Sequence, residues 1–278
     1  MNLFHAILLG IVEGITEFLP VSSTGHLNLV EKLLGYQIDS AGMTAFTAII
    51  QVGAIIAAII YFRKDIVAII AAWFRGLGNA QARTDPNYRM GWAVILGSIP
   101  VAVVGLLFKN AIETTLRSMW VVAGALIAWS IVMAIADRMD NLHRSIEDVT
   151  WKDGLIIGLF QALSPLFPGI SRSGATISAG MFRGLDRVSA TRLSFFLGIP
   201  ALVAAGGLEA VSQASAVSST VGWTATIVGT VVSLVVAYAS IAWLLRFVSK
   251  NSFTGFIVYR VVLAALIIVL LVTGTVTA

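Results

Sequence analysis

Residues 13–26 read Glu13-Gly-Ile-Thr-Glu17-Phe-Leu-Pro20-Val-Ser22-Ser23-Thr24-Gly-His26. This run places two acids, a proline, three consecutive hydroxyl side chains and a histidine inside an apolar stretch that extends from residue 2 to residue 34. Charged side chains within an apolar helix are tolerable next to water and costly in lipid. What the run means therefore depends on the solvent that surrounds it, and the composition of the chain indicates that solvent.

The composition is that of a protein that lies in lipid. The 278 residues are 58% hydrophobic and only 12% charged, and the mean hydropathy is +0.93. A soluble domain carries about 25% charged residues, and half that fraction cannot cover a globular surface with ions. This excludes a cytosolic enzyme, a disordered chain, a coiled coil and a nucleic-acid module, and we expect no nucleic-acid partner.

Two absences are informative: that of cysteine from the whole sequence, and that of Lys and Arg from its first 31 residues. The chain has no cysteine, which excludes disulfides, a thiolate nucleophile and a cysteine metal site. No Lys or Arg precedes Lys32, so the positively charged region that begins a cleaved signal peptide is missing. We therefore expect the first helix to stay in the mature protein.

Six apolar stretches are long enough to cross a bilayer, which takes roughly 20 residues each. They lie near 42–62, 90–108, 118–137, 190–210, 224–245 and 255–275. Tryptophans near several of their ends fit an aromatic belt at the membrane interface, namely Trp73, Trp92, Trp120 and Trp223. We predict an all-α polytopic membrane protein with six transmembrane helices.

Two further apolar stretches, 2–34 and 153–183, are interrupted by polar residues. The first contains the run quoted above, and the second contains Pro165, Pro168 and Arg172. A broken backbone at membrane depth is tolerated only where protein or a water-filled cavity surrounds it. We predict that each stretch is a re-entrant helical hairpin, in which a polar loop inside the membrane joins two half-helices.

The distribution of basic residues supports this topology. With both hairpins re-entrant, 13 of the 18 Lys and Arg residues fall on one side, in the loops 63–89, 138–152, 183–192 and 246–250. The opposite side carries Lys32, Lys109 and Arg117. Because cytoplasmic loops carry an excess of Lys and Arg, the first side is predicted to be cytoplasmic.

The chain contains an internal repeat at an offset of 148 residues. The repeat aligns Glu13 with Gln161, Pro20 with Pro168, and Ser23 with Ser171. Each half consists of one hairpin followed by three spans, and this odd number of crossings forces the second copy to be inverted. We predict a single membrane domain, 1–278, built from an inverted-topology repeat of residues 1–137 and 150–278. Repeats of this kind bring broken helices together near the middle of the membrane.

Glu13 and Glu17 are four residues apart, so a helix places both carboxylates on one face. Two like charges in a low dielectric repel one another unless a cation lies between them. Oxygen ligands suit Mg²⁺ or Ca²⁺, which bind one or two carboxylates together with phosphate oxygens. We predict a divalent-cation site here. The alternative is a pair that carries protons or packs helices.

The residues after Glu17 suggest an anion site with a nucleophile. Pro20 ends the first half-helix, and Ser22 or Ser23 is suited to cap the second. The free N–H groups at that helix start attract anions, so we predict that Ser22 and Thr24 bind substrate. His26 lies three residues beyond Ser23 on the same helix face, and it can serve as a base beside a hydroxyl nucleophile. The alternative is a histidine that only makes hydrogen bonds.

The second tip reads Pro168-Gly-Ile-Ser171-Arg172-Ser173-Gly-Ala-Thr176. It repeats the proline and the hydroxyl caps, with a permanently charged guanidinium in place of a base. Arg binds phosphate through two parallel donors, which predicts a phosphate clamp. The alternative is that Arg172 merely neutralises Glu17. A phosphate ligand that carries a metal ion would satisfy the acids and the arginine together.

Both motifs resemble the two signature motifs of the bacterial undecaprenyl-diphosphatase family of the bacitracin-resistance type, and length and spans agree along essentially the whole chain. The resemblance implies hydrolysis of undecaprenyl diphosphate to the monophosphate, which recycles the lipid carrier of cell-wall synthesis. It also implies a divalent cation, Mg²⁺ or Ca²⁺, and a site open to the periplasmic face of the bacterial inner membrane. The matching motif residues are Glu13, Glu17, Ser23, His26, Ser171, Arg172, Ser173 and Thr176.

One feature departs from the family pattern. Ser164-Pro165 stands just before Pro168, where apolar residues are commoner, and we expect it to reshape the second half-helix near its tip.

The partners expected from the resemblance are the polyprenyl diphosphate and membrane lipid. The sequence does not decide whether the chain forms a homodimer.

The predicted site residues suggest a catalytic mechanism, and the predicted fold suggests a rival function. Ser23, or a water that it orients, attacks the terminal phosphorus with His26 as base. Arg172 clamps the phosphates together with the hydroxyls of Ser171, Ser173 and Thr176, while Glu13 and Glu17 hold the metal that neutralises the developing charge. The rival is a secondary transporter or lipid flippase, because inverted repeats with broken helices are a transporter architecture. A transporter does not need a nucleophile, a base and a phosphate clamp side by side. A passive channel is poorly supported, since no ring of repeated pore residues occurs.

Overall fold

The computed structural model describes residues 1–108, 112, 118–212 and 214–277. Those residues form α-helices joined by turns and short 3₁₀ segments, and no β-strand occurs among them. The helices are α1 Leu3–Thr16, α2 Ser23–Leu33, α3 Ala41–Tyr61, α4 Arg63–Gly78, α5 Pro86–Leu107, α6 Met119–Asp137, α7 Trp151–Gln161, α8 Leu163–Leu166, α9 Arg172–Phe182, α10 Arg187–Ser212, α11 Ala214–Thr220, α12 Trp223–Val248 and α13 Thr254–Val272.

Six of these helices are long and apolar enough to cross a membrane, which confirms the six predicted spans. They cover Ala41–Tyr61, Pro86–Leu107, Met119–Asp137, Arg187–Leu208, Trp223–Val248 and Thr254–Val272. Their outward faces carry large apolar side chains, as lipid contact requires; Leu106 and Val272, for example, are more than 70% exposed. The predicted loop 63–89 contains a further helix, α4, which packs against α5.

The two polar stretches are broken helices. The chain leaves α1 after Thr16, turns through Pro20 and starts α2 at Ser23. In the second stretch α7 ends at Gln161, and the short helix α8 and a 3₁₀ turn over Pro168–Ile170 precede α9. The Ser164 hydroxyl donates to the Gln161 carbonyl at 2.8 Å. Because a proline cannot donate to the helix ladder, Ser164-Pro165 ends α7 early, as expected.

Glycines let helices from the two halves of the chain pack backbone against backbone. α1 crosses α12, and a methyl group added at Gly10 would lie 2.5 Å from the Gly229 carbonyl oxygen. α7 crosses α5 in the same way, with Gly158 lying directly against the Gly97 backbone. Small residues at such crossings permit close approach where no hydrophobic force drives helices together. The first helix of each broken pair is thus held by the opposite half of the chain.

Polar contacts join several loops at one end of the bundle. Arg192 Nη2 lies 2.8 Å from Asp65 Oδ1, and Arg89 donates to the Glu147 carbonyl at 3.1 Å. At the same end the Asp137 carboxylate accepts from Arg187 Nε at 2.6 Å and from the Phe253 N–H at 2.8 Å. These contacts bring together the loops that carry most of the basic residues, and we call this region the basic end.

The opposite end holds Met1 and Thr277. The Met1 amino group donates to the Val221 carbonyl at 3.0 Å, and Lys32 Nζ donates to the Thr277 carbonyl at 3.0 Å. Lys109 and Arg117, which were predicted on this side, lie outside the described residues. The α1–α2 pair is bonded to this end through Met1 and Lys32, whereas at the basic end Asp153 of α7 binds Arg183, the residue that follows α9, at 2.8 Å.

Candidate active site

The turns that interrupt the two helix pairs meet inside the bundle and exchange hydrogen bonds. We call the turn at residues 17–22 the first tip and the turn at residues 167–171 the second tip. The Ser22 hydroxyl donates to the Pro168 carbonyl at 2.6 Å. In return the Ser173 hydroxyl donates to the Leu19 carbonyl at 2.9 Å. Each tip thus satisfies a carbonyl of the other, which fixes how close they lie.

A serine with positive φ caps the helix that follows each tip. Ser22 has φ 74° and accepts from the Gly25 N–H at 3.2 Å, and Ser171 has φ 72° and accepts from the Gly174 N–H at 3.3 Å. Positive φ is uncommon for a residue with a side chain and concentrates at functional sites. The 148-residue offset predicted that Ser23 matches Ser171; the structure instead gives the cap role to Ser22 and Ser171. Ser23 and Arg172 are therefore the first residues of their helices.

Those two first residues converge on the Glu17 carboxylate. Ser23 Oγ donates to Glu17 Oε2 at 2.7 Å, and Arg172 Nη2 lies 3.3 Å from Glu17 Oε1. Gln51 of α3 also donates to Glu17 Oε2, at 3.1 Å. Glu17 is 5% exposed, so this ion pair is shielded from water. The predicted residues Glu17, Ser23 and Arg172 thus form one cluster.

The Arg172 side chain is tightly enclosed. Nη1 donates to the Ser194 carbonyl at 3.1 Å, the guanidinium packs against Gly198, and its carbon lies 6.0 Å from the centre of the Phe18 ring. The Thr176 hydroxyl binds the Ser194 hydroxyl at 2.6 Å on the same helix face. Arg172 Nε is buried without a hydrogen-bond partner among the described residues. The guanidinium therefore keeps one unused donor.

His26 does not contact Ser23, which corrects the predicted pairing. Nδ1 lies 2.7 Å from the Ser22 carbonyl, and Nε2 lies 2.6 Å from the Tyr259 hydroxyl. A carbonyl only accepts, so Nδ1 carries the proton and Nε2 of the neutral ring accepts from Tyr259. The prediction failed because the ring folds back onto the carbonyl that precedes α2, away from the Ser23 side chain. The Ser23 proton instead points to Glu17.

Glu13 is the one acid of the motif that has no partner in the described chain. It is completely buried, and neither carboxylate oxygen has a hydrogen-bond partner there. A buried anion without a donor calls for a cation or a proton. No group of three or more His, Asp and Glu side chains with metal-ligand geometry occurs among the described residues. Mg²⁺ needs only one or two carboxylates when phosphate and water complete its shell, so Glu13 and Glu17 fit such an ion.

The remaining predicted residues divide into two groups. Ser171 and Ser173 share a hydrogen bond at 3.0 Å and are buried at the second tip, whereas Thr24 is exposed. Our sequence analysis also missed several residues at the tips: Gln51, Ser194, Tyr259 and Arg260. Arg260 had one usable signal, since a charged residue in the middle of a transmembrane span is rarely without a function.

Comparisons with known proteins show the family to which the chain belongs. The family model described as bacitracin resistance protein BacA matches residues 6–266. The chain belongs to the BacA family. It is 66% identical to an undecaprenyl-diphosphatase of Cutibacterium acnes, with both chains fully covered. It is 58% identical to undecaprenyl-diphosphatase 3 of Frankia casuarinae and 50% identical to an undecaprenyl-diphosphatase of Acidothermus cellulolyticus, again with both chains fully covered.

The His26–Tyr259 pair of this BacA-family chain can be tested by spectroscopy. The chain has only three histidines, so ¹⁵N-histidine labelling gives few signals. We expect His26 to show a protonated Nδ1 and an unprotonated Nε2. Tyr259→Phe should leave Nδ1 protonated and move the Nε2 resonance to higher chemical shift, because the hydroxyl donor is lost.

A second histidine–tyrosine pair provides the control. His5 Nδ1 lies 2.7 Å from the Tyr36 hydroxyl, outside the cluster, so Tyr36→Phe should change the His5 signals and leave those of His26 unchanged. A protonated Nε2 on His26 in the unmodified chain would contradict the assigned tautomer.

Proposed function

We propose that this BacA-family chain is an integral membrane phosphatase that hydrolyses undecaprenyl diphosphate to undecaprenyl phosphate and inorganic phosphate. The reaction would return the carrier lipid to cell-wall synthesis. The relatives reported above bear the name of this activity. The helical membrane fold suits a substrate whose prenyl tail stays in lipid.

One observation supports this function most strongly: two buried side chains of opposite charge, Glu13 and Arg172, have polar atoms without a hydrogen-bond partner among the described residues. Glu13 has a buried carboxylate with no donor, and Arg172 has a buried N–H with no acceptor. Buried unsatisfied polar groups are rare and call for an explanation. A diphosphate that carries a divalent cation would give the arginine an anion and the acid a cation in one ligand.

The clamp for the diphosphate consists of Arg172 and the start of α9. The guanidinium provides the fork geometry that phosphate prefers, and the N–H groups of the first turn of α9 lie beside it. The hydroxyls of Ser171, Ser173 and Thr176 would add donors once they exchange their present partners for phosphate oxygens. Ser22 and Thr24 would contribute in the same way at the start of α2.

Ser23 is the attacking group that we favour, ahead of a water that it orients. Its oxygen would form a bond to the terminal phosphorus while the bridging P–O bond breaks and undecaprenyl phosphate leaves with that electron pair. The serine proton would pass to Glu17, whose Oε2 accepts the hydrogen bond from Ser23 Oγ at 2.7 Å. Water would then hydrolyse the phosphoserine and release inorganic phosphate. Nε2 of His26 can accept a proton only after its hydrogen bond with the Tyr259 hydroxyl breaks. We therefore assign His26 to the second step, in which it would activate the water that hydrolyses the phosphoserine.

A divalent cation, Mg²⁺ or Ca²⁺, would be held by Glu13 and Glu17. When bound, such an ion neutralises negative charge on phosphate oxygens. Glu13 meets this role without rearrangement because its oxygens have no other partner among the described residues. Glu17 would have to loosen its contact with Arg172.

We also propose that the two broken helix pairs are re-entrant hairpins of an inverted repeat. Both arms of the first pair are tied to the end that holds Val221 and Thr277, and both arms of the second to the basic end. The crossed packing of α1 on α12 and of α7 on α5 supports an exchange of equivalent elements between repeats. The repeats would cover residues 1–137 and 150–278 of a single membrane domain.

Charge supports an orientation in a bacterial inner membrane. The basic end would face the cytoplasm, because cytoplasmic loops are enriched in Lys and Arg. The first hairpin would then enter from the periplasmic side, and the active site would open toward that face. The substrate would enter from the outer leaflet with its tail between helices. A secondary transporter or flippase is not favoured, since the relatives carry the name of a hydrolase.

The function is tested by measuring phosphate release in detergent, where no gradient can form. Purified protein should release phosphate from undecaprenyl diphosphate, and Arg172→Ala should lower kcat by about 10²–10³-fold, the usual cost of losing a charge-stabilising group. The control is Arg192→Ala, which removes an arginine paired to Asp65 at the basic end and should keep normal turnover. Normal turnover in Arg172→Ala would refute the clamp.

Removal of the cation is expected to abolish phosphate release. A chelator should stop turnover, and added Mg²⁺ or Ca²⁺ should restore it. Glu13→Gln should raise the cation concentration needed for half-maximal activity about tenfold or more, because one charged ligand is lost. Asp65→Asn makes the same kind of change at the basic end and should leave that concentration unaltered. Full activity in the presence of chelator would exclude the cation.

Rapid quenching distinguishes serine attack from direct attack by water. With substrate labelled at the terminal phosphorus, a phosphoenzyme should form before steady state and map to Ser23. Ser23→Ala should trap none, while Ser164→Ala, which changes a serine bonded within its own turn, should trap a normal amount. A phosphate on another residue, or no phosphoenzyme at any quench time, would refute attack by Ser23.

A further inference from the structure

Arg260 is a completely buried arginine in the middle of α13. No carboxylate of the described chain lies within ion-pair distance of it, unlike Arg172, Arg183 and Arg187, which each contact an acid. Burying a charge away from water costs several kcal/mol unless it is well hydrogen-bonded. The partners that Arg260 does have therefore indicate what this arginine is for.

Those partners are backbone carbonyls of both tips. Nη1 donates to the Pro20 carbonyl at 3.0 Å, and Nη2 donates to the Gly169 carbonyl at 3.0 Å. Pro20 lies two residues before the cap Ser22, and Gly169 lies two residues before the cap Ser171. The two nitrogens of one planar group thus bind matching positions of two separate turns.

The rest of the guanidinium is fixed to α6. Nε donates to the Ser130 hydroxyl at 3.2 Å, and Nη2 also approaches the Leu126 carbonyl at 3.4 Å. A planar group held at all three nitrogens cannot rotate, so its two contacts to the tips have a fixed spacing. Lysine could not replace it, because one ammonium cannot present two donors in that fork.

We infer that Arg260 is a positioning residue, which sets the distance between the two tips and so brings Ser23 and Glu17 into register with Arg172. The direct contacts between the tips, Ser22 to Pro168 and Ser173 to Leu19, involve hydroxyls that the substrate would compete for. Arg260 instead binds the carbonyls of Pro20 and Gly169, which precede the hydroxyl residues Ser22 and Ser173 in the sequence. These contacts remain available when a ligand binds. The inference rests on the proposed function for its catalytic consequence, but its structural part does not.

The structural part is tested by a distance measurement. The chain has no cysteine, so spin labels on Ile15→Cys and Phe167→Cys report only these two exposed positions beside the tips. With Arg260 intact we expect one narrow distance distribution. Arg260→Met should broaden it and move it to longer distances, and Arg260→Lys should do so to a smaller degree. Arg260→Lys serves as the test variant if Arg260→Met does not fold.

The catalytic part is tested by kinetics on the same variants without labels. Arg260→Met should lower kcat about 100-fold, the effect expected of a displacement near 1 Å, with little change in KM. Ser130→Ala is the control: it removes one hydrogen bond of the same guanidinium but neither contact to the tips, and it should change kcat less than about threefold.

Each outcome has one meaning. An unchanged distance distribution in a folded Arg260 variant overturns the inference, whether the variant is fully active or only its KM rises; in the second case the guanidinium binds substrate instead. A changed distribution in a chain whose unmodified form releases no phosphate supports the positioning role and refutes the proposed function. Equal effects of Ser130→Ala and Arg260→Met on the distribution would show that α6, and not the tips, is what Arg260 holds.

Discussion

The contact between Glu17 and Arg172 joins two parts of the chain that are 155 residues apart in sequence. Each group is buried, and each alone would carry an uncompensated charge in a membrane protein, at a cost of several kcal/mol. The pair therefore favours an arrangement in which the two tips lie together. The crossed packing of α1 on α12 and of α7 on α5, with glycines at both crossings, is the packing found with that arrangement.

A break in a membrane helix leaves N–H and C=O groups that lipid cannot satisfy. In this chain the free N–H groups of the helices after the break are capped by Ser22 and Ser171, both at positive φ. The free carbonyls are satisfied by the opposite tip and by Arg260. The groups that repair the backbone are thus neighbours of those that would bind phosphate. Stability and chemistry depend on the same few residues, so a change at a tip is expected to affect both.

The sequence was informative where polar or charged residues interrupt a long apolar stretch. Acids, prolines and an arginine within long hydrophobic stretches marked both tips, and length alone located the six spans. Two things could not be read from it. The rotation of α13 could not be read from its sequence, because apolar residues flank the adjacent Tyr259 and Arg260 on both sides. Nothing in that pattern indicated that one faces His26 and the other both tips. The side-chain direction of His26 is set by a local carbonyl, which spacing along a helix does not predict.

The 148-residue offset predicted which residues of the two tips are equivalent, and the structure shows a different alignment after the prolines. The second tip has one more residue between its proline and its cap than the first: Pro20 and Ser22 are two apart, while Pro168 and Ser171 are three apart. An alignment anchored on the prolines therefore pairs Ser23 with Ser171, although the backbone pairs it with Arg172. The corrected register has a chemical consequence, since equivalent positions now carry a hydroxyl in one half and a guanidinium in the other. Both contact Glu17, and under the proposed function one of these helix starts would carry the nucleophile and the other the phosphate clamp.

The charges at the tips also constrain the order of events. Arg172 is paired with Glu17, so a phosphate that took the guanidinium would leave Glu17 beside Glu13 without a counter-charge. Two carboxylates and a diphosphate would then repel one another in a low dielectric. Anion binding at Arg172 is therefore favourable only together with a cation or a proton at the acids. Under the proposed function, the clamp at Arg172 and the cation at the acids would therefore have to be filled together, because Glu17 contacts Arg172 and is also an assigned cation ligand.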